Sequence, residues 1–361
     1  MTDQNAQDGA GRASARPSMR WEGQRLDGET PGVLPGLARV SNLVRSVRTP
    51  EFANVTFHEV LSKSALNHVP DTSSMLPGEW TINPYRGCTH GCRYCYARPT
   101  HERLGLNIRD QFDNEIVVKV NVVEVLRAEL ARKRKLPERV ALGTSTDPYQ
   151  RAEGRYALMP GIIDALAGAR VPFSILTKGT IIRRDLKRLA SASRFVRVEL
   201  GMSVSILDNE LQQSLEPGTP TTAARLDTIR AIRESGLDCT VFIAPILPMM
   251  TDTVEQLDAL VGALADAGAT NVLPTPLYLM AGVKEFFFDW LQQERPELVP
   301  AYTRLYANGS RIPEEYRNEI DARMRAALTG HGLPIPDAST TDKFALHGKR
   351  KSAPALEPTL F

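Results

Sequence analysis

Three cysteines stand close together in the segment NPYRGCTHGCRYCYAR, which spans residues 83–98. They are Cys88, Cys92 and Cys95, in the spacing Cys-x3-Cys-x2-Cys, and the fourth cysteine of the chain, Cys239, is remote in sequence. An odd number of neighbouring thiols cannot form a disulfide framework, because one of them always lacks a partner. Four cysteines in 361 residues also exclude a disulfide scaffold for the whole chain. The spacing therefore indicates a metal site, unless it is a coincidence of composition.

Two kinds of metal site are compatible with this loop. Structural zinc needs four protein ligands, and here the fourth would be His90, His101 or Cys239. A [4Fe–4S] cluster is normally held by four thiolates, so three thiolates leave one iron open to a small molecule. An open iron lets a cluster pass an electron to a bound substrate or cofactor. We predict an open iron–sulfur site in which the three clustered cysteines are both metal ligands and catalytic residues.

The elements that must position this loop alternate along the chain from Trp80 onward. We expect six buried strands, at 80–85, 139–146, 172–177, 196–205, 238–244 and 271–277. Each strand is followed by a segment of helical periodicity, and the helices end near residues 132, 169, 192, 234, 264 and 293. Six strand–helix units predict an α/β fold with a parallel sheet, either a partial (βα)6 TIM-like barrel or an open doubly wound sheet. In both folds, functional residues lie at the C-terminal ends of the strands.

The remaining segments divide the chain into four predicted parts. Residues 1–35 are rich in Gly, Ala, Ser, Pro and Asp, so we expect a disordered N-terminal segment. Residues 36–77 form an N-terminal extension packed on the barrel, in which the apolar spacing from Leu37 to Val47 predicts a basic amphipathic helix. The barrel occupies 78–296, and 297–361 is a helical C-terminal extension that ends in a disordered tail.

Composition narrows the class of protein. With 42% hydrophobic and 24% charged residues, the chain has the composition of a globular protein. A formal net charge of +2 gives no overall preference for nucleic acid or an acidic membrane. No run of about 20 apolar residues is present, and the start MTDQNAQDGAGRAS lacks the pattern of an export signal. We expect a cytoplasmic protein without a membrane partner.

Polar side chains recur at alternate positions of two predicted strands. Thr144 and Thr146 share one parity and Asp147 follows them, while Glu199, Ser203 and Ser205 share the parity of a second strand. A polar stripe on a strand buried on both sides is costly unless it meets a polar ligand. We expect these stripes to face the barrel interior. The alternative is that they bond to one another or to buried water.

The cysteine loop resembles the signature of the radical S-adenosylmethionine (SAM) superfamily, with an aromatic residue, Tyr94, before the third cysteine. The wider sequence is similar to the group related to spore photoproduct lyase, often called DNA repair photolyase-like. This similarity rests on the cysteine loop and on the segments GTSTDPYQ (143–150), LTKGT (176–180), SLEPGTP (214–220) and APILP (244–248). The resemblance implies that SAM chelates the fourth iron of a 4Fe-4S cluster. An electron then cleaves SAM to methionine and a 5′-deoxyadenosyl radical, which abstracts hydrogen from a substrate.

The resemblance also implies which residues bind SAM. Thr146, Asp147 and Ser205 would hold the adenosine and ribose, the backbone around Ala244 would meet the adenine, and Tyr94 would lie beside it.

Two cations are implied for the SAM carboxylate. Lys178 is the first choice and Arg225 the second; alternatively Glu216 pairs with Arg225 and only fixes the loop. Cys239 has the opposite parity to Ala244, so we expect it to be a buried core thiol.

The substrate is left open. Spore photoproduct lyase resemblance implies a cysteine after the second strand that returns hydrogen to the product, but Thr144 stands there, which argues against thymine-dimer repair. The alternatives are a lyase acting on DNA, modification of a protein, peptide or RNA, and a non-catalytic zinc or iron–sulfur binding module. A flavodoxin or ferredoxin is implied as electron donor.

Two basic stretches of the sequence are candidate contacts for an anionic partner. We interpret Arg132–Lys135 as a solvated helix terminus, with phosphate contact as the alternative. We interpret Arg183, Arg184, Lys187 and Arg188 as surface residues, with an anionic substrate as the alternative. Tyr149, Gln150 and Arg151 could line the substrate side.

Overall fold

The computed structural model describes residues 42–52, 54–70 and 80–336. The predicted disordered segment 1–35 and the predicted disordered tail after residue 336 lie outside the described residues. The strands of the described part are β1 Leu43–Val47, β2 Thr56–Val60, β3 Leu66–His68, β4 Trp80–Ile82, β5 Tyr85–Arg86, β6 Glu115–Lys119, β7 Val140–Leu142, β8 Phe173–Thr177, β9 Val198–Ser203, β10 Cys239–Ile246 and β11 Asn271–Pro276.

The helices follow the strands in the order expected of βα units. They are α1 Gln111–Asn114, α2 Val122–Arg132, α3 Arg151–Tyr156, α4 Leu158–Gly168, α5 Leu186–Ala192, α6 Asn209–Leu215, α7 Thr222–Glu234, α8 Val254–Asp266, α9 Val283–Glu294, α10 Val299–Leu305 and α11 Glu314–Gly330. None of these helices is both long and apolar enough to cross a membrane.

The larger sheet has the strand order β11-β10-β9-β8-β7-β4-β3. Its six strands from β4 to β11 are parallel, and each pairs with the parallel strand next to it in sequence. A doubly wound sheet reverses its strand order at a switch point, and this order has no reversal. The protein is therefore an α/β partial (βα)6 barrel, open between β11 and the antiparallel edge strand β3.

A second sheet has the strand order β1-β2-β6-β5, so β1 and β2 of the N-terminal extension share this sheet with strands that follow β4, while β3 of the extension joins the larger sheet. The prediction of an amphipathic helix from Leu37 to Val47 is wrong for the part that the structure describes. Residues 43–47 form the strand β1, which pairs antiparallel with β2. Cross-strand pairs stabilise this strand: Arg45 bonds to Glu59, and the Ser46 hydroxyl lies 2.8 Å from Nδ1 of His58. Those partners are distant in sequence, so local apolar spacing could not reveal them.

The barrel interior is a cavity of about 990 Å³. The interior of a closed TIM barrel is filled by bulky branched side chains, whereas several inward positions here carry small ones. These inward residues include Ala141, Ser174, Gly201, Thr240 and Thr275. Small side chains leave room for ligands between the cysteine loop and the opposite end of the strands. The C-terminal helix α11 packs against α8 and the edge strand β11.

Candidate functional site

The three clustered cysteines lie in the loop after β4, at the C-terminal end of the parallel strands, and all three line the cavity. None is in a disulfide. The loop turns tightly because Gly87 and Gly91 have positive φ angles of 79° and 65°. A Cβ at Gly87 would lie 2.9 Å from the His101 ring and from the Phe112 carbonyl oxygen, so this position requires glycine.

The chemistry of this donor set fits an iron–sulfur cluster. Burial raises the pKa of the Cys88, Cys92 and Cys95 thiols, so a cationic metal centre is needed to hold them as thiolates. Within the described ranges, no three His, Cys, Asp or Glu side chains are grouped as ligands of a metal ion. In a cubane each thiolate binds a different iron, so three cluster ligands need not converge on one point.

The predicted fourth zinc ligands are placed away from the three thiols or are already engaged. His90 lines the cavity, but its Nδ1 lies 3.3 Å from a carboxylate oxygen of Asp147. His101 is buried with Nε2 3.0 Å from the carbonyl oxygen of Glu115, and burial lowers its pKa to about 4. Cys239 is fully buried and does not line the cavity, as strand parity predicted.

Arg98 holds the cysteine loop in place, and sequence reasoning missed it. Its guanidinium is fully buried, and Nη2 donates to both carboxylate oxygens of Asp113, at 2.9 and 2.8 Å. It also donates to the backbone carbonyls of Gly91, Cys92, Ile108 and Arg109. The ring of Phe286 covers the guanidinium at 4.2 Å. Burial raises the pKa of Asp113 to about 6 although Arg98 opposes the shift.

Two further segments dock on the cysteine loop. Gln150 is fully buried; its side-chain oxygen accepts from the Thr89 amide, and its side-chain nitrogen donates to the Gly87 carbonyl. Gln150 therefore supports the loop instead of lining the substrate side. The amide of Gly218 donates to the His90 carbonyl, and a Cβ at Gly218 would lie 1.9 Å from the Thr89 carbonyl oxygen. The segment SLEPGTP thus packs directly on the cysteine loop.

Asp147 connects the strand ends to the cysteine loop. One carboxylate oxygen accepts from the Tyr149 amide and the Thr177 hydroxyl, and the other accepts from the Lys178 amide and faces Nδ1 of His90. A carboxylate has about four acceptor positions, and these contacts use all four. Burial opposes ionisation, but the interaction with His90 and these hydrogen bonds lower the pKa of Asp147. In this arrangement Asp147 positions its neighbours and has no acceptor left for a ribose hydroxyl.

The two predicted cations meet at one buried carboxylate. Glu216 pairs with Lys178 Nζ at 3.0 Å and with Arg225 at 2.5 Å, and it accepts a hydrogen bond from the Tyr94 hydroxyl. Lys178 also donates to the Ser203 hydroxyl at 2.7 Å. Burial opposes ionisation, yet Lys178 and Arg225 hold the pKa of Glu216 well below its usual range. The Glu216–Arg225 pair that sequence reasoning left as an alternative is present.

Only one of these two cations faces the cavity. Lys178 lines it with 13% of its side chain exposed. The Arg225 side chain is 1% exposed and is fixed by the carbonyls of Ser203 and Pro220. Lys178 is accessible to a ligand, whereas Arg225 acts through Glu216.

The other predicted SAM contacts differ in their surroundings. The strand β7 ends at Leu142, so Thr144 and Thr146 lie beyond it; both nevertheless line the cavity, and Thr146 also donates to the Tyr85 carbonyl. Glu199 and Ser203 of the second predicted stripe line the cavity as well, whereas Ser205 does not. Ser205 is 1% exposed and its hydroxyl has no hydrogen-bond partner in the described structure. Ala244 lines the cavity.

Two of the basic residues after β8 form ion pairs within the fold. Arg184 pairs with the buried Glu153 and with Asp185, and Arg188 pairs with Asp164. Tyr149, which was predicted to face substrate, is fully buried and donates to Asp185. Arg151 lies over the Phe52 ring. These contacts account for Arg184 and Arg188 without a substrate, while Arg183 and Lys187 are exposed at the surface.

Comparisons with known proteins agree with this geometry. The model of the radical SAM superfamily matches residues 82–261. An uncharacterized protein of Mycobacterium tuberculosis is 51% identical over 327 residues, which cover 89% of this chain and 95% of that protein. A structure of spore photoproduct lyase complexed with dinucleoside spore photoproduct superposes with a TM-score of 0.56 at 17% identity, covering 76% of this chain and 79% of that one. A structure of a double mutant of the same lyase, with bound AdoMet and dinucleoside spore photoproduct, superposes with a TM-score of 0.54 at 16% identity. The match covers 72% of this chain and 76% of that one. At these identities the two structures establish a shared fold.

Proposed function

The chain belongs to the radical SAM superfamily, and from that premise we propose that it is an enzyme that cleaves SAM reductively with a [4Fe–4S] cluster bound by Cys88, Cys92 and Cys95. One observation carries the proposal: three free thiols of one loop line the C-terminal end of a cavity of about 990 Å³ inside a parallel barrel. A drug-sized ligand occupies a site of about 300–1,000 Å³, so the interior has room for SAM and a substrate group.

When bound, the cluster and SAM together supply a 5′-deoxyadenosyl radical that abstracts hydrogen from the substrate. The residues of this chain bind and orient the reactants. Lys178 would bind the SAM carboxylate, because it is the cation that faces the cavity. Arg225 positions Lys178 and Tyr94 through the shared carboxylate of Glu216. This division of roles keeps one accessible positive charge at the SAM end of the cavity.

The rest of the cavity wall protects a radical. It is lined largely by apolar atoms, among them those of Leu176, Phe242 and Leu273. An apolar wall lowers the access of water to the reacting atoms and limits side reactions. Ala244 lies at the same end of the cavity as Lys178, where its backbone would meet the adenine. Ser205 is not among the lining residues, and its buried, unpartnered hydroxyl is the observation that keeps it as a proposed ligand contact.

The cavity also bears on the substrate. The chain has four cysteines, and Cys239 lies outside the cavity. Thr144 lines the cavity, and its carbonyl accepts from the Tyr96 hydroxyl. The proposed reaction therefore does not return hydrogen through a fourth cysteine. A flavodoxin or ferredoxin remains the proposed source of the electron.

The test compares metal content in matched variants. We expect about four irons and four sulfides per chain after reconstitution without oxygen. The Cys92→Ala variant should lose most of this iron, while Cys239→Ala, which removes a thiol outside the cavity, should keep it. Circular dichroism of both variants checks that the fold is retained. About one zinc in place of iron, or equal iron loss in both variants, would contradict the proposal and favour a non-catalytic metal-binding module.

A further inference from the structure

A basic surface lies at the end of the barrel opposite the cysteine loop. The parallel register places Val140, Phe173 and Val198 side by side at the starts of β7, β8 and β9. Neighbouring strands are about 4.8 Å apart, so the three loops that enter these strands lie on one surface about 10 Å across. We name this surface the N-terminal rim and define it by residues 132–139, 169–172 and 193–199.

The N-terminal rim concentrates positive charge. Two of its residues are acidic, Glu138 and Glu199. Its basic residues are Arg132, Lys133, Arg134, Lys135, Arg139, Arg170, Arg194 and Arg197. The whole chain has a formal charge of +2, so the rim is far more basic than the protein on average. Charge of one sign clustered on one face is the electrostatic footprint of a polyanion site.

Some of these cations have structural partners and others do not, within the part of the chain that the structure describes. Lys135 pairs with Glu138, and Arg139 and Arg197 both pair with Glu199. In contrast, four exposed rim arginines make no side-chain ion pair or hydrogen bond with any described residue: Arg132, in the last turn of α2, and Arg134, Arg170 and Arg194.

Three of these four, Arg134, Arg170 and Arg194, stand just beyond helix C-termini, where the helix dipole favours a cation. α2, α4 and α5 end at Arg132, Gly168 and Ala192, so each arginine stands two residues beyond a helix end. The favourable effect of a cation on the helix dipole falls off within the last turn. None of the three side chains donates a hydrogen bond to a terminal carbonyl of its helix within the described structure, so none is held as a helix cap.

An exposed aromatic ring lies among these cations. Phe195 is 67% exposed, the largest value among the exposed large hydrophobic residues of the described structure. It follows Arg194 directly and precedes Arg197 by two residues, and Leu136 on the neighbouring loop is 37% exposed. A bare aromatic ring among unpaired arginines is the combination that binds single-stranded nucleic acid: the cations contact phosphates and the ring stacks on a base.

We propose that the N-terminal rim binds single-stranded nucleic acid, with Arg134, Arg170 and Arg194 on the phosphates and a base stacked on Phe195. A duplex keeps its base faces stacked, and an acidic peptide has no base to cover the ring, so the single strand fits both features. The rim is at the other end of the barrel from the three cysteines, and its residues Arg139, Arg197 and Glu199 line that end of the cavity. Arg134, Arg170 and Arg194 lie outside the cavity lining, so the proposed docking surface adjoins the cavity at the end away from the cysteine loop. The proposal goes beyond the proposed function and does not depend on it.

The test is direct binding by the full chain without SAM, using fluorescein-labelled dT20 and rU20 in fluorescence anisotropy over a range of NaCl concentrations. Each phosphate contact contributes about 0.7 to the slope of log K against log salt. The Arg134→Ala/Arg194→Ala variant should lower the slope by about 1.4 and weaken binding at least tenfold at low salt. Phe195→Ala should weaken binding about tenfold with the slope unchanged. The matched control, Arg304→Ala/Arg325→Ala, removes two exposed arginines of α10 and α11 and should bind like the parent chain.

Three results would overturn the proposal. The first is that neither oligonucleotide binds at 50 mM NaCl, and the second is that the control variant binds the oligonucleotides as weakly as Arg134→Ala/Arg194→Ala does. The third is that poly-glutamate displaces the labelled oligonucleotide as strongly as unlabelled dT20 does, which would indicate an acidic polypeptide partner. SAM cleavage is measured separately on the Arg134→Ala/Arg194→Ala variant and should be unchanged. Oligonucleotide binding without SAM cleavage would contradict the proposed function alone, and the reverse would contradict this inference alone.

Discussion

The buried guanidinium of Arg98 offers a sharp test of how the cysteine loop is held. The change Arg98→Met keeps an unbranched side chain of similar length but removes every donor. It leaves the Asp113 carboxylate without its cationic partner and removes the donor from each backbone carbonyl that Arg98 contacts. The perturbation therefore acts on the loop itself and touches no thiol.

Its magnitude follows from the contacts. Removing one partner of a buried ion pair costs about 3–5 kcal/mol, and each hydrogen bond to a charged group contributes about 1.5–3 kcal/mol. A simple sum would approach the whole stability of a domain, about 5–15 kcal/mol. We therefore expect the segment around the cysteines to open locally, with the free energy of unfolding lowered by about 3–5 kcal/mol.

The assays are urea denaturation, hydrogen exchange of the peptide that spans residues 86–98, and iron content after reconstitution. Arg98→Met should exchange these amides much faster and take up less than a quarter of the parent's iron, while amides of β8 and β9 stay protected. Arg188→Met is the control, because its ion pair with Asp164 is largely exposed and worth at most about 1 kcal/mol. Parent-like stability and iron uptake in Arg98→Met would refute the reasoning.

Three further changes probe other contacts. Gly218→Ala places a Cβ 1.9 Å from the Thr89 carbonyl oxygen, so this variant should take up less iron on reconstitution. The control Gly168→Ala has no atom within 4 Å of the new Cβ and should take up as much iron as the parent chain. Equal iron uptake by the two variants would contradict the packing of SLEPGTP on the cysteine loop. Burial lowers the pKa of Lys119 to about 7, so between pH 7 and 10.5 the unfolded state binds more protons and stability rises with pH. Lys119→Met should therefore raise the unfolding free energy at pH 8 by on the order of 3 kcal/mol in urea titrations, with the gain shrinking toward pH 10.5; a loss of stability would contradict this. Ser205→Ala should leave the free energy of unfolding unchanged or raise it by about 1 kcal/mol, because the Ser205 hydroxyl has no hydrogen-bond partner in the described structure. The same variant should bind SAM more weakly in equilibrium dialysis. Unchanged SAM affinity would remove Ser205 from the site.

The order of elements could be predicted from the sequence because each parallel strand is a short apolar run followed by a helical period. All six predicted strands are present, and their sequential pairing settles the choice that periodicity left open between a barrel and a doubly wound sheet. The strand β1 could not be predicted, because its pairing with β2 depends on contacts across the extension. β7 was predicted too long, because the positive φ of Gly143 ends the strand before Thr144.

The site shows the same division between local and long-range information. The cysteine spacing is a local pattern, so the loop could be found directly. The supports of the loop are single residues, such as Arg98 and Gln150, whose types and spacing carry no signal of their own. The pairing of Lys178 with Glu216 required the fold, because 38 residues separate them. Charge alone could not show that Arg225 is turned away from the cavity.

One measurement tests the central claim most directly. Protein purified and reconstituted without oxygen is mixed with dithionite and SAM, and 5′-deoxyadenosine is quantified by mass spectrometry alongside iron and sulfide in the same sample. The proposed function predicts 5′-deoxyadenosine from the parent chain with about four irons per chain, and none from Cys92→Ala. A reconstituted four-iron protein that forms no 5′-deoxyadenosine, or equal product from Cys92→Ala, would contradict it.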